Sequence, residues 1–218
     1  MVKMINLGEQ NSIFNQYISE IRNVDVQNDS LRFRRNIERL GEIFAYEISK
    51  TMNFKSNLIT TPLGQCDINL IDSEPVIATV LRAGLPLHQG MLNYFDKADN
   101  AFVSAYRMHI PPDDFEVKVE YISSPNLTDR VLILCDPMVA SGQSMVLSYD
   151  ALLEAYGHPK HIHIVSIIAS AEGMAYVQDN VKSNVTIWTG AIDAEMTAQA
   201  YIVPGLGDAG DLAFGKKE

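Results

Sequence analysis

"VLILCDPMVASGQSMVLSYDALLEAYG", residues 131–157, contains an apolar run, a polar loop and an amphipathic pattern, in that order. The short apolar run 131–135 indicates a buried strand, and the apolar spacing within 143–156 indicates a helix. A strand that leads directly into a helix is the building unit of a parallel sheet. The polar loop 136–144 is therefore expected at the carboxyl end of a strand, where such sheets bind their ligands.

The same alternation continues on both sides of this segment. It predicts strands at 75–81, 101–107, 161–170 and 185–190, and helices at 86–95 and 171–180. We therefore predict an α/β fold with a mostly parallel central sheet flanked by helices. Residues 108–125 are rich in proline and charge, which favours a projecting, flexible hairpin arm.

The N-terminal 60 residues have a different pattern. Apolar residues recur at helical spacing between Leu31 and Ile48, with Ser30 as the expected N-cap. We interpret 1–60 as a helical arm that lies over the core or against a second subunit, and 1–218 as one domain. Arginines in this helix alternate with glutamates, so we assign them to a solvated face: Arg32, Arg34, Arg35 and Arg39.

Composition narrows the classes of partner. The chain has 218 residues, and its 27 acidic against 17 basic residues give a net charge of -10. Such a charge repels nucleic acids and anionic membranes, so neither is expected as a partner. Cys66 and Cys135 are too far apart for a CxxC motif, and no apolar stretch has the length of a membrane span or the form of a signal peptide. A cytoplasmic protein is expected.

The loop 136–144 carries groups suited to a phosphorylated sugar. Gly142 allows close backbone approach, Ser141 and Ser144 offer hydroxyls, and the following helix presents its N-terminal N–H groups to an anion. Asp136 can accept hydrogen bonds from sugar hydroxyls or hold a hydrated metal ion. On these residues alone, a capped turn that binds no ligand is an equally good interpretation.

Two further segments are candidates for the same site. Arg82 in "VLRAGLP" and Arg107 in "AFVSAYR" each close a predicted strand, where a guanidinium can bind two phosphate oxygens. "GLGDAG" at 205–210 matches GxGxxG, but too few residues follow it for a dinucleotide site. Its exposed backbone groups instead suit a planar ligand with the hydrogen-bonding pattern of uracil.

Together these motifs resemble the type I phosphoribosyltransferases, and within them the uracil phosphoribosyltransferases. "VLILCDPMVASGQS" is similar to the loop that binds phosphoribosyl diphosphate (PRPP), "LRAGL" to the pyrophosphate loop, and "YIVPGLGDAGD" to the uracil-binding end within 200–215. "FR...YE" at 33–47 and "TPLG" at 61–64 extend the similarity over most of the chain.

The resemblance implies a role for each matching residue. Arg82, Arg107 and Asp136 would be catalytic, with Asp136 on the ribose hydroxyls and both arginines on the pyrophosphate. The remaining PRPP-binding residues would be Ala83, Gly84, Val139, Ala140, Ser141, Gly142, Gln143 and Ser144. Uracil would be bound by Ile202, Gly207, Asp208 and Ala209, mainly through their backbone. Asp211 would act indirectly, in the water shell of a magnesium ion.

The implied reaction joins uracil and PRPP to give UMP and pyrophosphate, with Mg²⁺ as the cofactor. The resemblance also implies a GTP-type allosteric effector and closure of the 108–125 arm, and the N-terminal helix favours a homo-oligomer, either a homodimer or a larger assembly. Gln143 stands where the family commonly has a second glycine, which predicts an effect on phosphate affinity. Two alternatives remain at this point, a phosphoribosyltransferase for another base and a non-enzymatic regulator that senses PRPP or UMP.

Overall fold

The computed structural model describes residues 2–110, 114–182 and 184–217, and the side chains of 106–118 lie outside that description. The strands are β1 (Lys3–Asn6), β2 (Phe54–Thr61), β3 (Gly64–Ile71), β4 (Val76–Leu81), β5 (Asp99–Ile110), β6 (Asp114–Ser123), β7 (Val131–Cys135), β8 (Met138–Val139), β9 (His161–Ser170), β10 (Val185–Asp193), β11 (Glu195–Met196) and β12 (Ile202–Val203). The α-helices are α1 (Ile13–Arg22), α2 (Ser30–Ser49), α3 (Leu85–Leu92), α4 (Gln143–Tyr156), α5 (Ala171–Asn180) and α6 (Ala209–Phe214).

The central sheet has the order β1-β10-β9-β7-β4-β5-β6, with the short β8 pairing to β9. Every neighbouring pair is parallel except β5 and β6, which are antiparallel. The prediction of an α/β fold with a mostly parallel sheet is confirmed. Two small antiparallel ladders, β2 with β3 and β11 with β12, lie outside this sheet.

Both faces of the sheet are covered by helices. Ile133 packs in a core cluster with α1, α2 and α3, whereas its neighbours Leu132 and Leu134 pack in a second cluster with α4 and α5. Successive side chains of a strand point to opposite faces, so the alternation places one cluster on each side. This arrangement explains the continuous apolar run of β7, which is buried on both faces.

Most predicted elements agree with the structure in position. The predicted strand 131–135, helix 143–156, strand 161–170 and helix 171–180 have the observed bounds. The N-cap prediction was wrong by one residue. Asp29, not Ser30, caps α2, because the Asp29 side chain accepts from the N–H groups of Leu31 and Arg32.

Three other segments differ from the sequence analysis. Helix α3 ends at Leu92, before the predicted end at 95, and the antiparallel hairpin of β5 and β6 begins well before residue 108. Strand β1 and the ladder of β2 with β3 were not anticipated. Residues 111–113, within the predicted arm, lie outside the described residues.

Helices α1 and α2 pack directly on the core. Phe14 of α1 and Phe44 of α2 are buried, and their rings meet edge to face with centroids 5.3 Å apart. One arginine of each helix, Arg22 of α1 and Arg34 of α2, donates to a backbone carbonyl of the C-terminal segment. In the described parts of the chain, no helix combines the length and apolar character that crossing a bilayer requires.

Candidate active site

The ends of β4 and β7 bring two of the predicted site residues to one edge of the sheet. The two strands are parallel neighbours, and Thr79 of β4 stands opposite Cys135 of β7 in register. Arg82 and Asp136 follow these positions by three residues and one residue. Both therefore lie beyond the carboxyl ends of adjacent strands, which is where open α/β sheets bind ligands.

Arg107 belongs to β5, the strand on the other side of β4. Leu81 pairs with Ser104, and the strand continues through Arg107, which pairs with Val117 of β6. The backbone position of Arg107 is thus near the same edge, but its side chain lies outside the described residues.

The loop after β7 forms a compact cradle at the start of α4. Gly142 is the N-cap of α4 with a left-handed φ of 81°, and a Cβ atom there would lie 2.7 Å from the carbonyl oxygen of Gly173. Ser170 Oγ donates to the carbonyl of Ala140 (2.6 Å) and accepts from the N–H of Gly173 (2.8 Å). The loop is therefore fixed against α5. The first N–H groups of α4 have no partner within the helix and are available to bind an anion.

The other loop residues occupy different environments. Val139 is buried in β8, Ser141 and Ser144 are half-buried, and Gln143 is exposed. Gln143 is the first helical residue of α4, so the left-handed conformation falls on Gly142 alone. Because a helical backbone does not require glycine, Gln143 leaves the turn of the loop intact.

Asp136 is held at the strand end by backbone contacts. Its N–H donates to the carbonyl of Val165 (3.1 Å), and its Oδ1 accepts from the N–H of Met138 (3.2 Å). These contacts orient a half-buried carboxylate beside the cradle. A carboxylate in this place can accept hydrogen bonds from vicinal sugar hydroxyls.

Arg82 connects the end of β4 to the C-terminal segment. Its Nη2 donates to Asp211 Oδ1 (3.1 Å) and to the carbonyl of Gly215 (2.7 Å), and the Leu81–Arg82 peptide bond is cis. Its Nε is buried and has no partner within the described part of the chain. Two motifs more than 120 residues apart are therefore in contact, and the guanidinium retains donor capacity for an anion.

The residues predicted to bind uracil differ in their burial. Ile202 and Ala209 are each 4% exposed as whole residues, whereas Gly207 is exposed and Asp208 is half-buried. Asp208 caps α6 by accepting from the N–H of Asp211 (2.9 Å). A cavity of about 330 Å³ adjoins this segment and is bounded by Gly207, Asp208 and Asp211 on one side and by the connection between α1 and α2 on the other.

Several residues that hold this segment were missed by the sequence analysis. Arg34 Nη1 donates to the carbonyl of Ala213 (2.6 Å), which departs from the solvated face predicted for the arginines of α2. Buried Gln27 donates from Nε2 to the carbonyl of Leu206 (3.3 Å), and Arg22 donates to that of Gly205 (2.9 Å). No sequence signal identifies contacts across such separations, because each residue is ordinary in its local context.

The site offers no activated thiol. Cys135, the last residue of β7, is fully buried, and burial raises its pKa to about 12. It is therefore a neutral core residue at physiological pH. The groups at this edge are suited to hold and orient anionic and hydroxylated ligands rather than to form a covalent intermediate.

Comparison with known proteins is consistent with this geometry. A sequence model of the family described as "Uracil phosphoribosyltransferase" matches residues 9–216. A uracil phosphoribosyltransferase of Porphyromonas gingivalis is 54% identical over 216 residues, which cover 99% of this chain and 100% of the relative.

Solved structures agree on the fold. The AQ2163 protein of Aquifex aeolicus has a TM-score of 0.86 at 25% identity, covering 97% of this chain and 98% of that one. An adenine phosphoribosyltransferase of Trypanosoma brucei has a TM-score of 0.56 at 11% identity, covering 95% of this chain and 89% of that one. The similarity to the adenine phosphoribosyltransferase, at 11% identity, shows a shared fold alone.

Proposed function

The chain belongs to the uracil phosphoribosyltransferase family, and we propose that its strand-end site transfers the phosphoribosyl group of PRPP to uracil, giving UMP and pyrophosphate. The protein is accordingly a transferase of pyrimidine salvage. Separate groups of residues would bind the phosphate, the ribose, the pyrophosphate and the base.

One contact carries the proposal. Arg82 of the pyrophosphate loop binds Asp211 and the carbonyl of Gly215, both in the C-terminal segment. A transferase of this kind must hold the base beside the bond that breaks, and this contact joins the two segments proposed for base and pyrophosphate. The cradle at Gly142 follows the neighbouring strand β7. This placement supports a site with three compartments, one for the 5'-phosphate and ribose, one for the pyrophosphate and one for the base.

Each compartment has a distinct role in the proposed mechanism. The cradle 139–144 binds the 5'-phosphate, and Asp136 holds the ribose hydroxyls. Arg82 and Arg107 stabilise the negative charge that grows on the departing pyrophosphate, an interaction that is stronger in the transition state than in the ground state. The backbone of 207–209 holds uracil so that its N1 faces the ribose carbon.

The carboxylates present fit a magnesium ion held mainly by its substrate. No cluster of three metal-ligating side chains occurs in the portions of the chain that the structure describes. Mg²⁺ commonly keeps several waters and binds through one or two carboxylates plus substrate phosphates. Asp136 would hold it on the ribose side and Asp211 would order its waters. The ion would neutralise charge on the pyrophosphate.

An assay of base specificity tests the proposal. Purified protein with PRPP and Mg²⁺ is offered uracil, cytosine, hypoxanthine and adenine in parallel, and nucleotide formation is measured for each. We expect UMP from uracil alone. A product from another base would contradict the assignment of 207–209 as a uracil site, and PRPP binding without any product would favour the non-enzymatic sensor.

A homodimer or larger assembly is part of the same proposal. The hairpin of β2 and β3 exposes apolar side chains that would favour burial against a second copy of the chain: Phe54, Leu58, Leu63, Ile68 and Leu70. Light scattering on the wild type and on a Leu58→Lys, Leu70→Lys variant tests this interface. A monomeric wild type, or a variant with unchanged mass, would contradict it.

Two further elements of the proposal, the arm and the effector, come from the family resemblance, and the location is proposed from the cysteines. Closure of the 108–125 arm would exclude water and limit hydrolysis of PRPP, and deletion of the arm should raise that hydrolysis. A GTP-type effector should change the rate of UMP formation when GTP is added. A cytoplasmic location suits a chain in which Cys66 and Cys135 are both free thiols.

A further inference from the structure

A half-buried arginine pairs with a buried carboxylate beside residues 200–215, the segment proposed to bind uracil and called the base segment below. Asp193, the last residue of β10, is 8% exposed, and Arg22 of α1 donates to both of its carboxylate oxygens. The two bonds are Nη1 to Oδ2 at 2.7 Å and Nη2 to Oδ1 at 2.8 Å. A two-point pairing of this kind fixes orientation as well as distance.

The pair binds both backbone groups of one residue in the base segment. The N–H of Gly205 donates to Asp193 Oδ2 (2.9 Å), and the carbonyl of Gly205 accepts from Arg22 Nη1 (2.9 Å). Gly205 precedes Gly207, the exposed residue of the proposed uracil site, by two positions. The pair therefore fixes the chain immediately before the groups that would recognise the base.

The carboxylate of Asp193 is ionised at neutral pH. Burial disfavours the ionised carboxylate of Asp193, but the hydrogen bonds from Arg22 and Gly205 outweigh burial and hold its pKa below the ordinary value. Loss of Arg22 would leave the buried carboxylate of Asp193 without its counter-charge. A charged Asp193 is therefore available to pair with Arg22 in the folded chain at neutral pH.

Gln27 and the end of β10 also hold the base segment in place. Gln27 is buried, and its Nε2 donates to the carbonyls of Ile21 (3.0 Å) and Leu206 (3.3 Å). Asp193 ends a strand of the central sheet, so the base segment is tied to a rigid element on one side and to the connection after α1 on the other. Such supports determine how closely a binding group keeps its productive geometry.

We propose that Arg22 and Asp193 are positioning residues for uracil, and that they place the backbone of 207–209 by holding Gly205. The inference rests on the proposed function. The contacts of this pair are with Gly205 rather than with the pyrophosphate loop or the phosphate cradle. Its loss should therefore weaken uracil recognition and leave PRPP recognition in place.

The test uses two conservative variants of the full chain. Arg22→Lys keeps the charge but cannot make the paired bonds and the Gly205 bond together, and Asp193→Asn keeps the shape but removes the charge. We expect the KM for uracil to rise about 10- to 100-fold in each, as displacement of a reacting group by about 1 Å commonly costs. The KM for PRPP should stay within about twofold of the wild-type value, a change much smaller than tenfold.

Arg32→Lys is the matched control. Arg32 makes a similar two-point pair with Glu20 (2.9 and 2.8 Å), but that pair is exposed and does not contact the base segment. We expect its kinetic constants to equal those of the wild type. Thermal unfolding of all variants shows which of them are folded, and Arg22→Lys decides the question if Asp193→Asn does not fold.

The outcomes separate this inference from the proposed function. Wild-type protein that makes no UMP from uracil would refute the proposed function and this role with it. An active wild type with unchanged uracil KM in Arg22→Lys would refute the positioning role alone. Equal rises in both KM values would also overturn it, because they would indicate a general structural effect.

Discussion

Replacement of Gly173 by alanine should damage the phosphate cradle from a distance. Gly173 is the third residue of α5, and a Cβ atom there would lie 1.9 Å from the carbonyl oxygen of Ala140 and 3.1 Å from Ser170 Oγ. A carbon and a carbonyl oxygen require about 3.3 Å, so the Ala140 carbonyl must move by about 1.4 Å, the difference between the two distances. That movement would break the bond from Ser170 and displace the loop that we assign to the 5'-phosphate.

Two effects on stability have opposite signs at this position. Helix propensity alone predicts that Gly173→Ala stabilises α5 by up to about 1 kcal/mol. Overpacking of a fitted contact costs about 1–3 kcal/mol. We expect the contact to prevail and the free energy of unfolding to fall by about 1 kcal/mol. Displacement of the loop should lower kcat/KM for PRPP about 100-fold, with a much smaller change in the KM for uracil.

Urea unfolding and steady-state kinetics measure these two effects separately. Gly64→Ala is the control, because a Cβ atom at Gly64 would meet nothing within 4 Å. It should leave both stability and kinetics unchanged. If Gly173→Ala proved more stable than the wild type and kept its kcat/KM for PRPP, the role of this contact in shaping the cradle would be refuted.

Gln143→Gly should leave the KM for PRPP within about twofold, because residue 143 is helical and exposed. A tenfold fall in the KM for PRPP, or in its Kd measured by titration calorimetry, would contradict that geometry. Asp211→Asn removes the negative charge that pairs with Arg82, and we expect kcat to fall about 10-fold. The pair is half-buried, so the free energy of unfolding in urea should change by less than about 1 kcal/mol. His163 is buried, which lowers its pKa to about 3, and its Nδ1 accepts from Trp188 Nε1 (3.0 Å). Because the unfolded chain binds the proton more tightly than the folded one, wild-type stability should fall by about 1.4 kcal/mol per pH unit between about pH 6.5 and pH 3, relative to His163→Asn. Parallel pH profiles of the two proteins would contradict the buried neutral ring.

Most strands of the central sheet, and the loop that follows β7, could be predicted from the sequence, whereas β1 could not. Strand β7 and helix α4 have their predicted bounds because local hydrophobic periodicity determines them, and a strand buried on both faces has a continuous apolar sequence. Asp136 and the cradle were found because a strand end followed by a helix start is a local pattern. The N-cap of α2 was assigned to Ser30 rather than Asp29 because both residue types cap well and only the backbone conformation distinguishes them.

The sequence by itself thus determined the fold class, the order of most strands and helices, and the chemical groups at each strand end. Only the tertiary structure decided which distant residues support those groups. Arg82 meets Asp211, and Arg22 meets Asp193 across 171 positions. Such contacts leave no periodic trace, since an arginine that binds a buried carboxylate has the same local sequence as one on a solvated helix face. The difference arises when the folded chain brings the end of β10 beside α1 and removes water from between them.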